Sequence, residues 1–401
     1  MDLLCDDIVE DILCRLPAKY LHRVRAAASR YNHIVSSPGF GTRYWESHSP
    51  HLSGVFLQSD RPWRQHSRFQ TGSDHGPSTA SESMLASDLA FLPQLPPGPM
   101  TTDKEIFIVH ATAGLLLCSR GKYKVVQYFV CNPVTWQWVS LPELPWPTTP
   151  AQRSPYGLLS VTNNADGSRI KCFQVALFYH PSASRRYGYL DLKVFSSATV
   201  RWEEKCIKLP AYIDVETHSR PSLCESGTAY WLGVSRMDKF IAYNSLHHTV
   251  QVLPVPSRVH GTTLVLNRCI GERHGGALRY AHFDCSVFQV WDMQTGDMDG
   301  ISWKLVHNVG VKELAERNPE ATALVTQHES VECLINDNSL FSVLGFHPTA
   351  DIIFLDVNGN VGAYSIEHGT ITHQCPYQYF EHDVFPYVHP AHHVEIPAIC
   401  S

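Results

Sequence analysis

A chain of 401 residues with 44% hydrophobic and 11% aromatic side chains can bury a substantial interior and is longer than one small domain requires. Its formal net charge of -6 leaves no basic excess, which argues against nucleic acid as the main partner, and no apolar run approaches membrane-spanning length. The twelve cysteines fall singly and the opening Met1-Asp2-Leu3-Leu4-Cys5-Asp6-Asp7 is acidic where a secretory signal is basic, so a soluble protein of the cytoplasm, the nucleus or both is expected, with thiols mostly buried and reduced.

The first forty residues carry the sharpest pattern. Ile8, Ile12 and Leu16 recur every fourth position with Val9 and Leu13 beside them, while Asp6, Asp7, Glu10, Asp11 and Arg15 fill the other side. The spacing predicts an amphipathic helix. Its N-terminal carboxylates and C-terminal arginine complement the helix dipole. Pro17 stops it, having no N–H to donate and disfavouring helical geometry at Leu16. A second helix is expected through Leu21, Val24, Ala28, Tyr31 and Val35, closing at Ser36-Ser37-Pro38-Gly39. So short a unit buries too little to offset its own ordering, so a partner or the rest of the chain must cover its apolar stripe.

This run resembles an F-box, the helical module through which substrate receptors dock onto a Skp-type adaptor of cullin-RING ubiquitin ligases. The residues carrying the resemblance are Leu4, Asp7-Ile8-Val9, Ile12-Leu13, Arg15-Leu16-Pro17-Ala18-Lys19, Leu21, Arg23, Arg25, Ile34-Val35, Pro38 and Phe40. It departs at Cys5, where the family has Pro, and through Ala28-Ser29-Arg30-Tyr31, where it has Cys-Lys-x-Trp. The resemblance implies that residues 1–45 form the adaptor-binding module, with Leu4, Ile8, Ile12, Leu13, Leu16, Pro17, Leu21 and Val24 as its adaptor-facing and supporting surface. The partners so implied are the adaptor and, through it, a cullin. The plain alternative is a helical hairpin at a domain edge.

Residues 46–105 read as a linker with possible first strands. Ser53 to Gln58 is a strand candidate, and residues 61–104, rich in Pro, Ser, Gly and Thr, offer little to bury and are expected to form a long loop.

From Ile106 a pattern recurs: an apolar strand, a strand ending in a turn, then a strand often carrying Trp and closing on Leu-Pro. Its copies begin at Gly114-Leu115-Leu116-Leu117-Cys118, Phe173 to Phe178, Thr228 to Leu232, Arg279 to Phe283 and Ile352 to Leu355. Turns such as Asn132-Pro133-Val134-Thr135 mark antiparallel meanders. The spacing, roughly 50 to 70 residues, is nearer the kelch-like range. One such unit cannot cover both faces of its sheet, whereas four-stranded units packed around an axis do, so residues 106–401 are expected to form a β-propeller. Five copies are visible, and the segment from Val55 to Phe69 together with the C-terminus is a candidate for one more. A β-sandwich is the structural alternative.

Gly114-Leu115-Leu116-Leu117, Cys131-Asn132-Pro133 with Thr135, and Ala229-Tyr230-Trp231-Leu232 resemble the F-box-associated propeller of plant receptors. The expected class is therefore α+β multidomain: a small N-terminal helical F-box followed by an all-β propeller-like domain.

No catalytic signature emerges. His247-His248 and the group His389, His392, His393 lack a Cys or carboxylate at zinc-ligand spacing, so no metal or cofactor is expected. Glu203-Glu204 are strand neighbours and point to opposite faces. Recognition is the remaining function. The connections after each Leu-Pro carry Trp146, Arg153 and Tyr156, then Tyr212, His218 and Arg220, side chains of the kind enriched in binding hot spots, which serve equally to cap blade edges. The reading is a substrate receptor of a Skp-cullin-F-box ubiquitin ligase, binding an unidentified target protein. Its rival is a propeller that binds a small ligand or acts as an enzyme, with a degenerate F-box and no ligase role.

Overall fold

The computed structural model describes residues 4–16, 18–35, 37, 40, 43–44, 51–59, 67–70, 89, 91–93, 106–120, 126–133, 136–144, 156–163, 170–178, 188–213, 221–224, 226–233, 238–256, 267–283, 286–295, 301–323, 340–357, 359–376, 382–389 and 396. It begins with three helices, α1 (Asp6–Cys14), α2 (Ala18–Ala27) and α3 (Ser29–Val35). Asp6 and Asp7 occupy the first turn of α1 and Arg15 its C-cap. The single second helix expected up to Val35 is two helices, interrupted at Ala28. Tertiary packing overrides the helix preference of the alanine run. Ile34, Phe40 and Tyr44 thereby join Val9, Leu13, Cys14 and Leu21 in one buried cluster. Arg30 ties α3 to α1 by donating to Asp6 Oδ1 at 2.7 and 2.9 Å and to the Leu4 carbonyl at 2.5 Å. Tyr44 donates its hydroxyl to the Leu16 carbonyl at 2.8 Å.

The rest is almost wholly β. After β1 (His51–Ser59) and β2 (Ser67–Gln70) come five sets of four strands. The first is β3 (Ile106–Thr112), β4 (Leu115–Arg120), β5 (Gln127–Asn132) and β6 (Gln137–Ser140). The second is β7 (Tyr156–Asn163), β8 (Ile170–Phe178), β9 (Tyr189–Ser196) and β10 (Arg201–Lys208). The third is β11 (Ser222–Leu223), β12 (Thr228–Leu232), β13 (Lys239–Asn244) and β14 (Thr249–Pro254). The fourth is β15 (Arg268–Glu272), β16 (Leu278–Phe283), β17 (Val287–Thr295) and β18 (Ile301–Gly310). The fifth is β19 (Phe341–Phe346), β20 (Ile352–Val357), β21 (Asn360–Ser365) and β22 (Thr370–Pro376). Each set is an antiparallel sheet whose strands pair in sequence order, which makes five propeller blades. A last strand, β23 (His382–His389), pairs with β1, so that Phe56 faces Phe385 and a three-stranded sheet joins the two ends of the β region.

The core lies between the sheets, as the argument for a propeller requires. Leu115, Leu117 and Val130 of the first blade meet Leu159, Phe173 and Val175 of the second. The same interleaving joins the second blade to the third, the third to the fourth and the fourth to the fifth. Phe56 and Tyr387 of the three-stranded sheet pack on Leu116 and Phe129, and Val55 and Val384 on Val361 of the fifth blade. Among the first strands, β3 contacts β7, β15 contacts β11 and β19, and β23 contacts both β19 and β3.

Two features differ from the sequence reading. The three strands read in each copy are the second, third and fourth of each blade, and the innermost strand was not singled out. The stretch 61–104 is not uniformly poor in core: it supplies β2, and Leu89 and Leu92 are 0% and 2% exposed between the three-stranded sheet and the first blade. One insertion interrupts the repeat, α4 (Val311–Arg317) and α5 (Pro319–Ala323) after β18. Asn318 between them accepts from the Ile371 N–H at 2.6 Å and donates to the Gly369 carbonyl at 3.2 Å, fastening the insertion to the outer strand of the fifth blade.

Candidate functional site

On α1 the apolar residues divide. Val9 and Leu13 are each 3% exposed and face Leu21 and Ile34, whereas Ile8 and Ile12, one turn apart, are 48% and 43% exposed. Leu4, Leu16 and Val24 are half-buried against the cluster, and Pro17 lies outside the described residues. Of the surface expected from sequence, Ile8 and Ile12 therefore form the outward part and Leu13 and Leu21 its support. The charges beside it are paired, Arg15 with Asp11 at 2.8 Å and Arg43 with Glu10 at 3.2 Å. Burial raises the Cys14 thiol beneath them.

Of the expected rim residues, Trp146, Arg153, His218 and Arg220 lie outside the described residues. Tyr156 is the first residue of β7, facing Phe178, so its backbone belongs to a blade and not to a connection. Tyr212 follows Pro210 and is 62% exposed.

A further aromatic group was not foreseen. Trp136, 56% exposed, stacks on Phe91 with centroids 6.3 Å apart, and Trp138 meets the buried Phe129 edge-on at 6.0 Å. Trp136 has φ +60°, at the turn position occupied by Val200, His248 and Gly369 in three other blades. The signal in the sequence was Trp at a turn position whose equivalents are dissimilar. Elsewhere His248 shares a 2.9 Å hydrogen bond with the Tyr243 hydroxyl, and His110 accepts the Leu159 N–H at 2.9 Å while burial pushes it down to about 3. Among the described residues no group of three or more His, Cys, Asp or Glu is placed to hold a metal ion, and the described cysteines are free thiols.

The family described as "F-box protein At3g26010-like, beta-propeller" matches residues 83–325. The chain belongs to that family. Its relatives are plant proteins. F-box protein At5g07610 of Arabidopsis thaliana is 23% identical, over 94% of this chain and 87% of the relative. F-box protein At5g03970 of the same plant is 22% identical over 90% and 80%, and F-box/LRR-repeat/kelch-repeat protein At2g27520 is 21% identical over 74% of each. Family membership and the five blades agree on a plant F-box β-propeller protein.

Proposed function

We propose that this chain is the substrate-recognition subunit of a Skp-cullin-F-box ubiquitin ligase, with α1 to α3 as its F-box and the propeller as its target-binding part. The observation that carries the reading is the exposed Ile8 and Ile12 pair above a cluster drawn from the helical segment itself. Two large aliphatic side chains, one turn apart and outward on a helix, suit insertion into an apolar groove of a partner. The names of the relatives support the same assignment. The chain itself performs no covalent chemistry. It raises the local concentration of target lysines near a charged ubiquitin-conjugating enzyme, in the cytoplasm, the nucleus or both. Tyr212 and the Phe91, Trp136 and Trp138 group are the described aromatic side chains offered to a target.

Co-purification with a Skp-type adaptor tests the reading, comparing the native chain with an Ile8→Asp, Ile12→Asp double variant. Both positions are exposed, so the variant keeps its fold, while two carboxylates forced into an apolar interface oppose binding. Stoichiometric capture by the native chain alone is expected. A folded native chain that captures no adaptor sinks the proposal and leaves the propeller to be studied as a ligand-binding or catalytic domain.

A further inference from the structure

In the first blade two thiols touch inside the joint that closes the β region. Cys118 in β4 and Cys131 in β5 are both 0% exposed, and their sulfurs lie 3.9 Å apart. Register explains the meeting. Cys118 stands opposite Phe129 and Leu116 opposite Cys131, so the two cysteines are diagonal neighbours on one face of an antiparallel pair. That face packs on Phe56 and Tyr387 of the three-stranded sheet, and Tyr387 donates its hydroxyl across the joint to the Gly114 carbonyl at 3.0 Å. The next strand carries the contact to the surface. Trp138 in β6 stands directly opposite Cys131, meets Phe129 edge-on at 6.0 Å and is 43% exposed. A continuous row of side chains therefore runs from a buried dithiol to an exposed indole.

We propose that Cys118 and Cys131 form a reversible disulfide, a redox switch that responds to hydrogen peroxide and alters the surface around Trp138. Sulfurs already in contact close from 3.9 Å to about 2.05 Å, which takes side-chain rotation and an approach of β4 to β5 beneath Phe129. In the first step one sulfur, as thiolate, attacks peroxide and breaks its O–O bond. It becomes a sulfenic acid, and the departing hydroxide takes up the thiol proton and leaves as water. The second sulfur then displaces the sulfenic oxygen, which leaves as a second water. The two thiols give up two electrons and two protons in all, and one peroxide becomes two waters. A touching second thiol is what turns a sulfenic acid into a disulfide before it is oxidised further. Burial raises the Cys131 thiol well above the ordinary range, so thiolate is scarce in the closed fold and the attack proceeds as the joint opens locally. The switch is accordingly slow, and a small uncharged oxidant suits it.

The experiment treats the full native chain with hydrogen peroxide, blocks the remaining thiols with iodoacetamide during unfolding, and maps the peptides by mass. A peptide pair joined through Cys118 and Cys131, two hydrogens lighter than its reduced form and separated again by dithiothreitol, is expected. Tryptophan emission should fall as the linked pair accumulates and recover on reduction, because a disulfide quenches an indole beside it. Trp138→Phe should lose most of that emission change while still forming the linked pair. Cys131→Val, or Cys118→Ala where that variant does not fold, should show neither response. The peptide map of the native chain needs no variant. Recovery of Cys118 and Cys131 as alkylated thiols after the exposed Cys5 and Cys206 have been oxidised overturns the proposal, as does their recovery as sulfinic acids without a linked pair. A linked pair that forms with no change in emission removes the coupling to Trp138 and overturns the switch. Adaptor capture does not depend on these thiols, so either inference can fail alone.

Discussion

The indole N–H of Trp202, in the outer strand β10 of the second blade, donates to the carbonyl of Pro142 at 2.9 Å, just beyond the outer strand β6 of the first. Trp303 in β18 makes the same bond to Pro254 at the end of β14, at 3.1 Å. The recurrent Trp and Leu-Pro are thus the two halves of a link between neighbouring blades. Around Trp202 the rings of Phe195 and Tyr128 lie 5.3 and 6.5 Å away.

Replacing Trp202 by Phe keeps an aromatic ring against this cluster and removes the N–H. The loss of one hydrogen bond and some packing should cost about 1 to 2 kcal/mol. Urea unfolding should show a lower midpoint at unchanged slope. Trp303→Phe should behave alike, and the double variant should show an additive loss, since the sites share no partner. Unfolding indistinguishable from the native chain would remove the link from the account.

That recurrence was legible in the sequence, but its meaning was not, because the two residues of one link are 60 positions apart and belong to different copies. The outer three strands of each blade were readable from apolar runs such as Leu115-Leu116-Leu117 and from the turns between them. The inner strands were not. Tyr156–Asn163, Arg268–Glu272 and Phe341–Phe346 each contain glycine, and Ser222–Leu223 is only two residues long. They are shaped by close approach at the axis, which alternation does not report. Exposure of Ile8 against burial of Leu13 was equally beyond the helical period, which places both on one broad apolar face.

The turn before the outer strand yields a second prediction. Val200 and Gly369 occupy its left-handed position with φ +55° and +67°, each N–H donating at 2.9 Å to the carbonyl four residues earlier. A β-branched residue is strained there and glycine is not. Val200→Gly should stabilise the protein by roughly 0.5 to 1 kcal/mol, relief of strain exceeding glycine's extra entropy when unfolded. Gly369→Val should do the reverse, and its Cβ would also come within 3.3 Å of Arg317 Nη1. Melting temperatures that move in the same direction for both variants would refute the reading.

Close approach at the axis is tested at Gly157 in β7. A Cβ there would lie 2.7 Å from Val109 Cγ1, 2.9 Å from Leu177 Cδ2 and 3.0 Å from Leu117 Cδ2. Gly157→Ala should therefore cost about 1 to 3 kcal/mol by overpacking. Gly345 in β19 has nothing within 4 Å of the corresponding point, and Gly345→Ala should be neutral or slightly stabilising. Equal effects on unfolding free energy would mean that the inner strands yield freely.

Asp356, 8% exposed at the end of β20, carries the last prediction. Burial pushes its carboxyl up to about 6, although Oδ1 accepts the Gly359 N–H at 2.6 Å. Because the folded value exceeds the unfolded one, this group's contribution is fully present below about pH 4 and is lost as pH rises through 6. His110 opposes it: its folded value is lowered to about 3, so its contribution is present above about 6.5 and is lost as pH falls toward 3. The two slopes offset one another between pH 4 and 6, and the native chain should show a shallow profile there from this pair. Asp356→Asn keeps the acceptor for Gly359 and removes the buried charge. It should stabilise the protein by about 1 to 3 kcal/mol at pH 7.5, with the gain vanishing near pH 4 and the acid slope steepening. Denaturant unfolding of both proteins at pH 4.5, 6 and 7.5 decides it: a gain independent of pH would show that the carboxyl is not held in its neutral form by the fold.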